Sequence, residues 1–502
     1  MKLAGILRGV DIVEISGDAG IGISGIAYDS RKVTPGNLFV AVRGEHTDGH
    51  DFIGDAIKNG AVAILHDKDI NSDGLRTRIK GEHNARDLDG LTVIRVSNSR
   101  EALAIVSNNF FMRPSHRLSV IGVTGTNGKT TTAYIIKSIL EAWDRKTGLT
   151  GTIQHMLPDE VREARHTTPE SLEFQGLLYN MLASGCTHVV SEISSHALSQ
   201  GRVDGTVFSA AVFTNLTRDH LDFHKTMENY FMSKTRLFTA LLDESATAVI
   251  NSDDPWGRKL IETLSGNVLT YGLGTDTDIM ATDIASSFDG LRFKIVMRGR
   301  KHSVTSPLTG LPNVYNILSS AAAATALGVP WSVILDGIKK AGTITGRFEK
   351  VDAGQGFLAI VDYAHTEDAL ERLIYTARGL TKGKIITVFG CGGDRDRGKR
   401  EVMGSIATRL SDSVIITSDN PRSEDPEKII REIVSGAVRK NFLIEADRRE
   451  AIKRSVMMAS DGDVVLVAGK GHEVYQEIKG ERFEFSDRKI LEETISRLIN
   501  NI

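Results

Sequence analysis

Residues 118–132 read Leu-Ser-Val-Ile-Gly-Val-Thr-Gly-Thr-Asn-Gly-Lys-Thr-Thr-Thr. An apolar run of strand length passes into a loop carrying Gly125 and Gly128, then into a helical pattern that opens on Lys129 and Thr130. The glycines let backbone N–H groups turn toward an anion, and the helix N-terminus adds the positive end of its dipole. Lys129 contributes a point charge and Thr130 a hydroxyl suited to Mg²⁺. Gly125, Thr126, Asn127, Gly128, Lys129 and Thr130 together predict a nucleoside triphosphate cradle on a doubly wound α/β sheet. The loop departs from the commonest pattern, G-x-x-x-x-G-K-[ST], because Val123 stands where the first glycine is usual.

Working outward, 502 residues exceed one ordinary core, and roughly 150 residues per domain predicts about three. Apolar runs at 38–42 and 61–65 make residues 1–97 a small α/β unit. Strands at 119–123, 188–193, 210–214 and 246–250 alternate with helices in a central unit, 98–346. Strands at 357–361, 384–389, 413–417 and 463–467 do the same in a third, Rossmann-like unit, 347–502. A formal net charge of -3 with interspersed signs gives no basic surface for nucleic acid and no polybasic cluster for a membrane. No apolar run reaches the ~18 residues of a membrane span. Cys186 and Cys391 offer neither a disulfide framework nor zinc spacing, so both are expected to pack as small apolar groups in a reducing, cytoplasmic protein.

Ligands of open α/β sheets bind beyond the carboxyl ends of the strands. Four strands of the third unit end in polar segments: Asp362-Tyr-Ala-His365, 390–396, Ser418-Asp-Asn-Pro-Arg422 and 468–473. Any one alone reads as an ordinary turn; four together predict a binding surface. In the central unit the strand 188–193 carries Glu192 and His220 follows the strand 210–214, a carboxylate and an imidazole suited to the divalent ions that neutralise triphosphate. A helix over 227–242 places Met227, Tyr230, Leu237, Phe238 and Leu241 on one apolar arc with Lys234 in its middle. That lysine either snorkels to water or brings its amine through the apolar layer to a site where its pKa falls.

These motifs resemble the Mur ligases of bacterial cell-wall synthesis across essentially the whole chain, and among them the members that add meso-2,6-diaminopimelate to UDP-N-acetylmuramoyl-L-alanyl-D-glutamate. The resemblance rests on Asp29-Ser-Arg31, Asp48-Gly-His50, the phosphate loop, Thr167-Thr-Pro169, Glu192-Ile-Ser-Ser-His196, Asp219-His-Leu-Asp222, Gly346-Arg-Phe-Glu349 and the four strand-end segments. It implies a UDP-binding first domain, a central ATPase domain and an amino-acid-binding third domain. The implied reaction is ADP-forming: an acyl phosphate forms on the D-glutamyl carboxylate and the amine captures it. ATP and Mg²⁺ are the implied cofactors, and a monomer is the default.

By the same resemblance, Lys129, Glu192, His220 and Lys234 are catalytic. Thr130, Glu192, His220 and Lys234, the last carbamylated by CO₂, hold the metal. Asn313, Arg347 and Asp362 join the loop in binding ATP. Ser30, Glu45, His46, Thr47, Thr167, Thr168, Ser194, Gln200 and Arg202 face the UDP-sugar, with His166 in place of a usual Asn. Arg395, Asp419, Asn420, Pro421, Arg422, Gly469 and Glu473 take the amino acid. Arg422 is the residue expected to choose diaminopimelate over lysine, because a guanidinium grips the extra carboxylate through two parallel hydrogen bonds and repels a lysine ammonium. Glu367 replaces a usual Pro and is expected to change nothing. A nucleotide-dependent switch would use the same loop but needs no second metal site; lysine-, dipeptide- or folate-specific ligases are the nearer rivals.

Overall fold

The structure, a computed structural model, describes residues 1–44, 47–69 and 90–500. Glu45 and His46 therefore lie outside the described residues. The chain forms two compact units, Met1–Thr124 with Arg145–Ala211 and Ser233–Ala246, and Gly125–Asp144 with Val212–Met232 and Thr247–Ile502.

The first unit opens with β1 (Ile12–Ser16), β2 (Gly25–Ala27), β3 (Asn37–Val40), β4 (Ala61–His66) and β5 (Thr92–Val96), in the order β1-β5-β4-β3-β2. Only β1 is antiparallel to its neighbour. Successive side chains of β3 feed opposite cores: Leu38 and Val40 pack with Leu3 and Ile6, Phe39 with Ile53 and Ile57. Burial on both faces is why this strand reads as an unbroken apolar run.

Next come β6 (Ser119–Thr124), β7 (Thr147–Thr150), β8 (Gln154–Leu157), β9 (Glu160–Glu163), β10 (His188–Glu192) and β11 (Phe208–Phe213), in the order β11-β6-β10-β7-β8-β9. β10 is parallel to β6 and β7, whereas β8 and β9 form an antiparallel edge. The helix carrying Lys234 spans Met227–Thr239, and Leu242 already begins β12 (Leu242–Asn251), three residues short of the helix end expected from periodicity.

In the second unit β12 pairs in parallel with β13 (Asn267–Gly272), and β13 with β14 (Ile279–Ser287). β14, β15 (Gly290–Met297) and β16 (Arg300–Ser306) then form an antiparallel ribbon. The strand–helix alternation expected throughout the central region misses this ribbon. Its signature is period-2 burial, with Leu291, Phe293 and Ile295 inside and Arg292 outside.

The remainder builds a six-stranded sheet from β17 (Glu349–Val351), β18 (Leu358–Asp362), β19 (Ile385–Phe389), β20 (Ser413–Ile416), β21 (Phe442–Ile444) and β22 (Val464–Ala468). Its order is β17-β18-β22-β19-β20-β21. All pairings except β17–β18 are parallel, so β18, β19, β20 and β22 present their carboxyl ends at one edge. Apolar cores cover both faces. A hairpin of β23 (Tyr475–Ile478) and β24 (Glu481–Glu484) follows β22. Among the described residues no helix is long and apolar enough to cross a membrane.

Candidate active site

The helix Lys129–Ala142 starts directly after Gly128, whose φ of 86° lies in the left-handed region. A Cβ there would sit 2.5 Å from Asn316 Oδ1, so the loop needs glycine for both conformation and space. The loop is tied down from the segment after β11: Thr214 Oγ1 and Asn215 Nδ2 donate to Asn127 O at 2.6 and 3.1 Å, and Asn127 N donates to Asn215 Oδ1 at 3.0 Å. Lys129 Nζ donates to the Gly125 and Thr126 carbonyls, each at 2.9 Å. Its ammonium is thus held over the loop, where the loop amides and the helix dipole favour an anion.

Arg347 joins this cluster. Its Nη2 donates to Thr130 Oγ1 at 3.2 Å, and its guanidinium stacks on the Tyr363 ring, 4.7 Å from the centroid. Asp362 accepts from Phe348 N and Ala364 N at 2.7 and 2.8 Å. Burial raises its pKa, against the lowering by Arg347 and those two amides. The Asn313 amide bridges Thr309 O and Asn316 Nδ2 at 2.8 and 3.0 Å, inside the helix Leu311–Ala326. Asn127 Nδ2 also donates to Asp368 Oδ2 at 2.9 Å, so a residue of the helix Glu367–Arg378 touches the phosphate loop directly.

Among the expected metal ligands, Glu192 is fully buried at the end of β10 and aimed by Thr152, whose N and Oγ1 both donate to its carboxylate at 2.9 Å. Lys234 is 1 % exposed, so its ammonium does not snorkel to water. Neighbours one turn away, Tyr230, Phe231, Leu237 and Phe238, are buried as well. His220 adopts a φ of 53° and lies 3.3 Å from Asp219. Burial would raise the Asp219 pKa, but the positive charges of His220, His365 and Lys399 and the His220 amide bring it below the usual carboxylate value. The carboxylate of Glu192 and the hydroxyl of Thr130 are oxygen donors of the kind that Mg²⁺ takes.

Of the residues expected to face the UDP-sugar, Thr167, Thr168, Ser194, Gln200 and Arg202 form a connected set in the first unit. Thr168 Oγ1 donates to Glu192 O at 2.8 Å and accepts from Ser194 N at 3.0 Å, while Thr167 and Thr152 hydroxyls are 3.1 Å apart. Arg202 reaches Gln200 Oε1, Thr168 O and Glu170 at 3.0, 3.2 and 2.6 Å. Ser30 is buried and Thr47 exposed in the same unit.

At the carboxyl edge of the last sheet, Asn420 Nδ2 donates to Glu473 Oε2 at 2.8 Å. Arg422, at a φ of 51°, donates from Nη1 to Gly393 O at 2.7 Å and lies 3.7 Å from Glu477. Arg395 is exposed beside them on the neighbouring loop. Gly469 has a φ of 119°, and a Cβ there would lie 2.4 Å from Asp419 Oδ2, so only glycine lets these two strand ends approach.

Three family models match: the Mur ligase family catalytic domain over residues 22–111, the Mur ligase middle domain over 123–324, and the Mur ligase glutamate ligase domain over 346–471. A UDP-N-acetylmuramoyl-L-alanyl-D-glutamate–2,6-diaminopimelate ligase of Solibacter usitatus is 45% identical over 94% of this chain and 93% of its own. The ligase of that name from Clostridioides difficile is 42% identical over 99% and 100%. A solved structure of such a ligase, at 32% identity, matches with a TM-score of 0.69 over 99% of both chains. The chain belongs to the Mur ligase family.

A Mur ligase is an ATP-dependent, amide-bond-forming enzyme that works with Mg²⁺. The structure of this Mur ligase adds residues that sequence reasoning passed over. Thr152 aims Glu192. Arg448, fully buried, pairs through Nε and Nη2 with Asp487 at 2.8 and 2.6 Å and donates to Ser418 O and Ala468 O, the carbonyls just before Asp419 and Gly469. Arg400, also fully buried, binds Glu424, Glu432 and Gly392 O behind the Arg395 loop. Charged side chains at helical spacing that fail to fall on a polar face were the available signal. Their ion-pair partners lie 24 to 39 residues away in the chain, beyond any local pattern.

Proposed function

We propose that this chain joins meso-2,6-diaminopimelate to the D-glutamyl γ-carboxylate of UDP-N-acetylmuramoyl-L-alanyl-D-glutamate, releasing ADP and phosphate, as a cytoplasmic monomer of three domains, 1–97, 98–346 and 347–502. The observation that carries the reading is the hydrogen bond from Asn420 to Glu473 between the segments after β20 and β22, with Arg422 on the same segment as Asn420: a donor, an anion and a cation matched to an amino acid with two carboxylates and two ammonium groups. Near full-length similarity to ligases named for this reaction supports it.

When bound, ATP with Mg²⁺ supplies the phosphoryl group and offsets its charge. The chain's own residues do the rest. Lys129 and the amides of 125–130 grip the β and γ phosphates. Asn313, Arg347 and Asp362 hold the remainder of the nucleotide. Thr130, Glu192, His220 and Lys234 as a carbamate are the residues that would hold the metal. An uncharged or cationic lysine amine is a poor ligand beside Mg²⁺, whereas a carbamate oxygen pair is a good one. Ser30, Thr47, Thr167, Thr168, Ser194, Gln200 and Arg202 orient the nucleotide sugar. Arg395, Arg422 and Glu473 seat the amino acid, whose amine must lose a proton before it attacks the acyl phosphate.

The deciding assay is ADP release with UDP-N-acetylmuramoyl-L-alanyl-D-glutamate and, in turn, diaminopimelate, lysine or no amino acid. Sustained turnover with diaminopimelate alone is expected; equal turnover with lysine would reject the assigned specificity. Lys234→Ala is expected to abolish activity, and enzyme stripped of CO₂ should regain rate on addition of bicarbonate. A rate indifferent to bicarbonate after such depletion counts against the carbamate.

A further inference from the structure

Lys470 lies immediately after β22 and is fully buried, yet it is no part of the amino-acid contacts set out above. Its Nζ donates to Asn420 Oδ1 at 2.9 Å and to Glu473 Oε2 at 3.0 Å, and stands 5.6 Å from the centre of the Tyr475 ring. An ammonium can only donate, so any group it faces must present an acceptor. Glu477 N converges on the same Asn420 Oδ1 at 2.9 Å. Two donors on one atom fix which end of the carboxamide is oxygen. The Asn420 Nδ2 end must then turn to Glu473, where it donates to Oε2 at 2.8 Å.

The hairpin locks the same loop from the other side. Gln476 Nε2 donates to Asp419 O at 2.7 Å. Arg422 N donates to Glu477 O at 3.0 Å, and Lys479 N to Arg422 O at 2.7 Å, so Arg422 bridges in parallel to the strand Tyr475–Ile478. The left-handed φ of 51° at Arg422, unfavourable for a side chain with a Cβ, is held by this pairing.

We propose that Lys470 is a positioning residue for amino-acid selection: it fixes the Asn420 amide orientation and the Glu473 carboxylate, and with the hairpin 475–484 sets the stance of Arg422 toward a dicarboxylic diamino acid. This rests on the reading of the strand edge as the amino-acid site. Oε1 of Glu473 and the second N–H of Asn420 Nδ2 make no hydrogen bond among the described residues, leaving one acceptor and one donor for the amino and carboxylate groups of one end of the substrate. Without the ammonium, Glu477 N alone holds the Asn420 oxygen and Asn420 Nδ2 alone holds Glu473 Oε2, so both side chains are fixed less tightly and the Glu473 carboxylate loses its buried counter-charge.

The test is steady-state kinetics of the full chain with all three substrates, for Lys470→Met, Asn420→Ala, Glu473→Gln and the Lys470→Met/Asn420→Ala double variant. Lys470→Gln, which retains an N–H donor, serves as the conservative partner. The expected result is a rise of about tenfold or more in the diaminopimelate KM for Lys470→Met, with the ATP and nucleotide-sugar KM values within about twofold. The double variant should lose clearly less than the two single losses combined, because Lys470 acts in part through Asn420, and Lys470→Gln should recover part of the loss. If Lys470→Met leaves the diaminopimelate KM unchanged while Asn420→Ala raises it, the positioning role fails and the site stands. Should all three KM values or kcat alone change, or the Lys470 and Asn420 effects simply add, the role is general support and the proposal is overturned. If neither Asn420→Ala nor Glu473→Gln moves the diaminopimelate KM, the reading of the site itself falls. Should Lys470→Met not fold, Lys470→Gln alone decides: a KM equal to wild type overturns the proposal, a selective rise supports it.

Discussion

At the scale of single residues, the chemistry of this ligase depends on groups that aim other groups. Glu192 could be read from the sequence as a carboxylate at a strand end, but its orientation comes from Thr152, whose N–H and hydroxyl take one carboxylate oxygen each. Thr152→Val keeps the shape and the N–H and removes the hydroxyl that donates to Glu192 and meets Thr167. A hydrogen bond to a charged group contributes ~1.5–3 kcal/mol, so kcat should fall roughly 10- to 100-fold, with more Mg²⁺ needed for half-maximal rate. A Mg²⁺ titration of the variant checks this, and a wild-type curve would discard the role. Lys234 was legible as an anomaly because a charge sat inside an apolar arc. That it is 1 % exposed, so that the snorkelling alternative is lost, required the packing around it.

At the scale of elements, the strand ends of the last sheet are held by a buried ion pair. Arg448 begins the helix Arg448–Met458 and Asp487 the helix Asp487–Asn500; their bidentate pair is sealed from water and also grips the carbonyls at the ends of β20 and β22. Removing one partner strands a buried charge, which costs about 3–5 kcal/mol, whereas replacing both with apolar groups of similar volume is often close to neutral. Arg448→Met should therefore lower the urea midpoint strongly, and Arg448→Met/Asp487→Leu should recover most of the loss. Equal losses in single and double variants would show that the carbonyl contacts, not the charge pair, matter. The parallel strands β6, β10, β18, β19, β20 and β22 were readable as apolar runs because burial on both faces removes the alternation. The ribbon β14–β16 and the hairpin β23–β24 were not picked out, since half-exposed strands mix polar residues with apolar ones and resemble loops.

For the molecule as a whole, stability should depend on pH through a histidine with no place in the catalysis. His66 ends β4 with neither ring nitrogen hydrogen-bonded among the described residues. Burial first, then the positive charge of His50, lowers its pKa to about 4, with Arg95 acting in the same direction and Asp67 and Glu14 opposing. A histidine held neutral in the fold and ordinary when unfolded contributes stability that is present in full above pH ~6.5 and is lost progressively as the pH falls toward about 4. Wild type should thus lose more of its urea midpoint between pH 7 and 4.5 than His66→Leu does; parallel curves would refute this. The amino-acid sequence by itself determined the phosphate loop, the strand–helix alternation of the domains and the order of the polar strand ends. Those follow from glycine sterics, helix dipoles and hydrophobic period, all set within a few residues. Only the tertiary structure decided that Thr152 faces Glu192, that Arg448 meets Asp487 and that Lys470 orients Asn420, because each depends on distances between side chains brought together from separate stretches of chain.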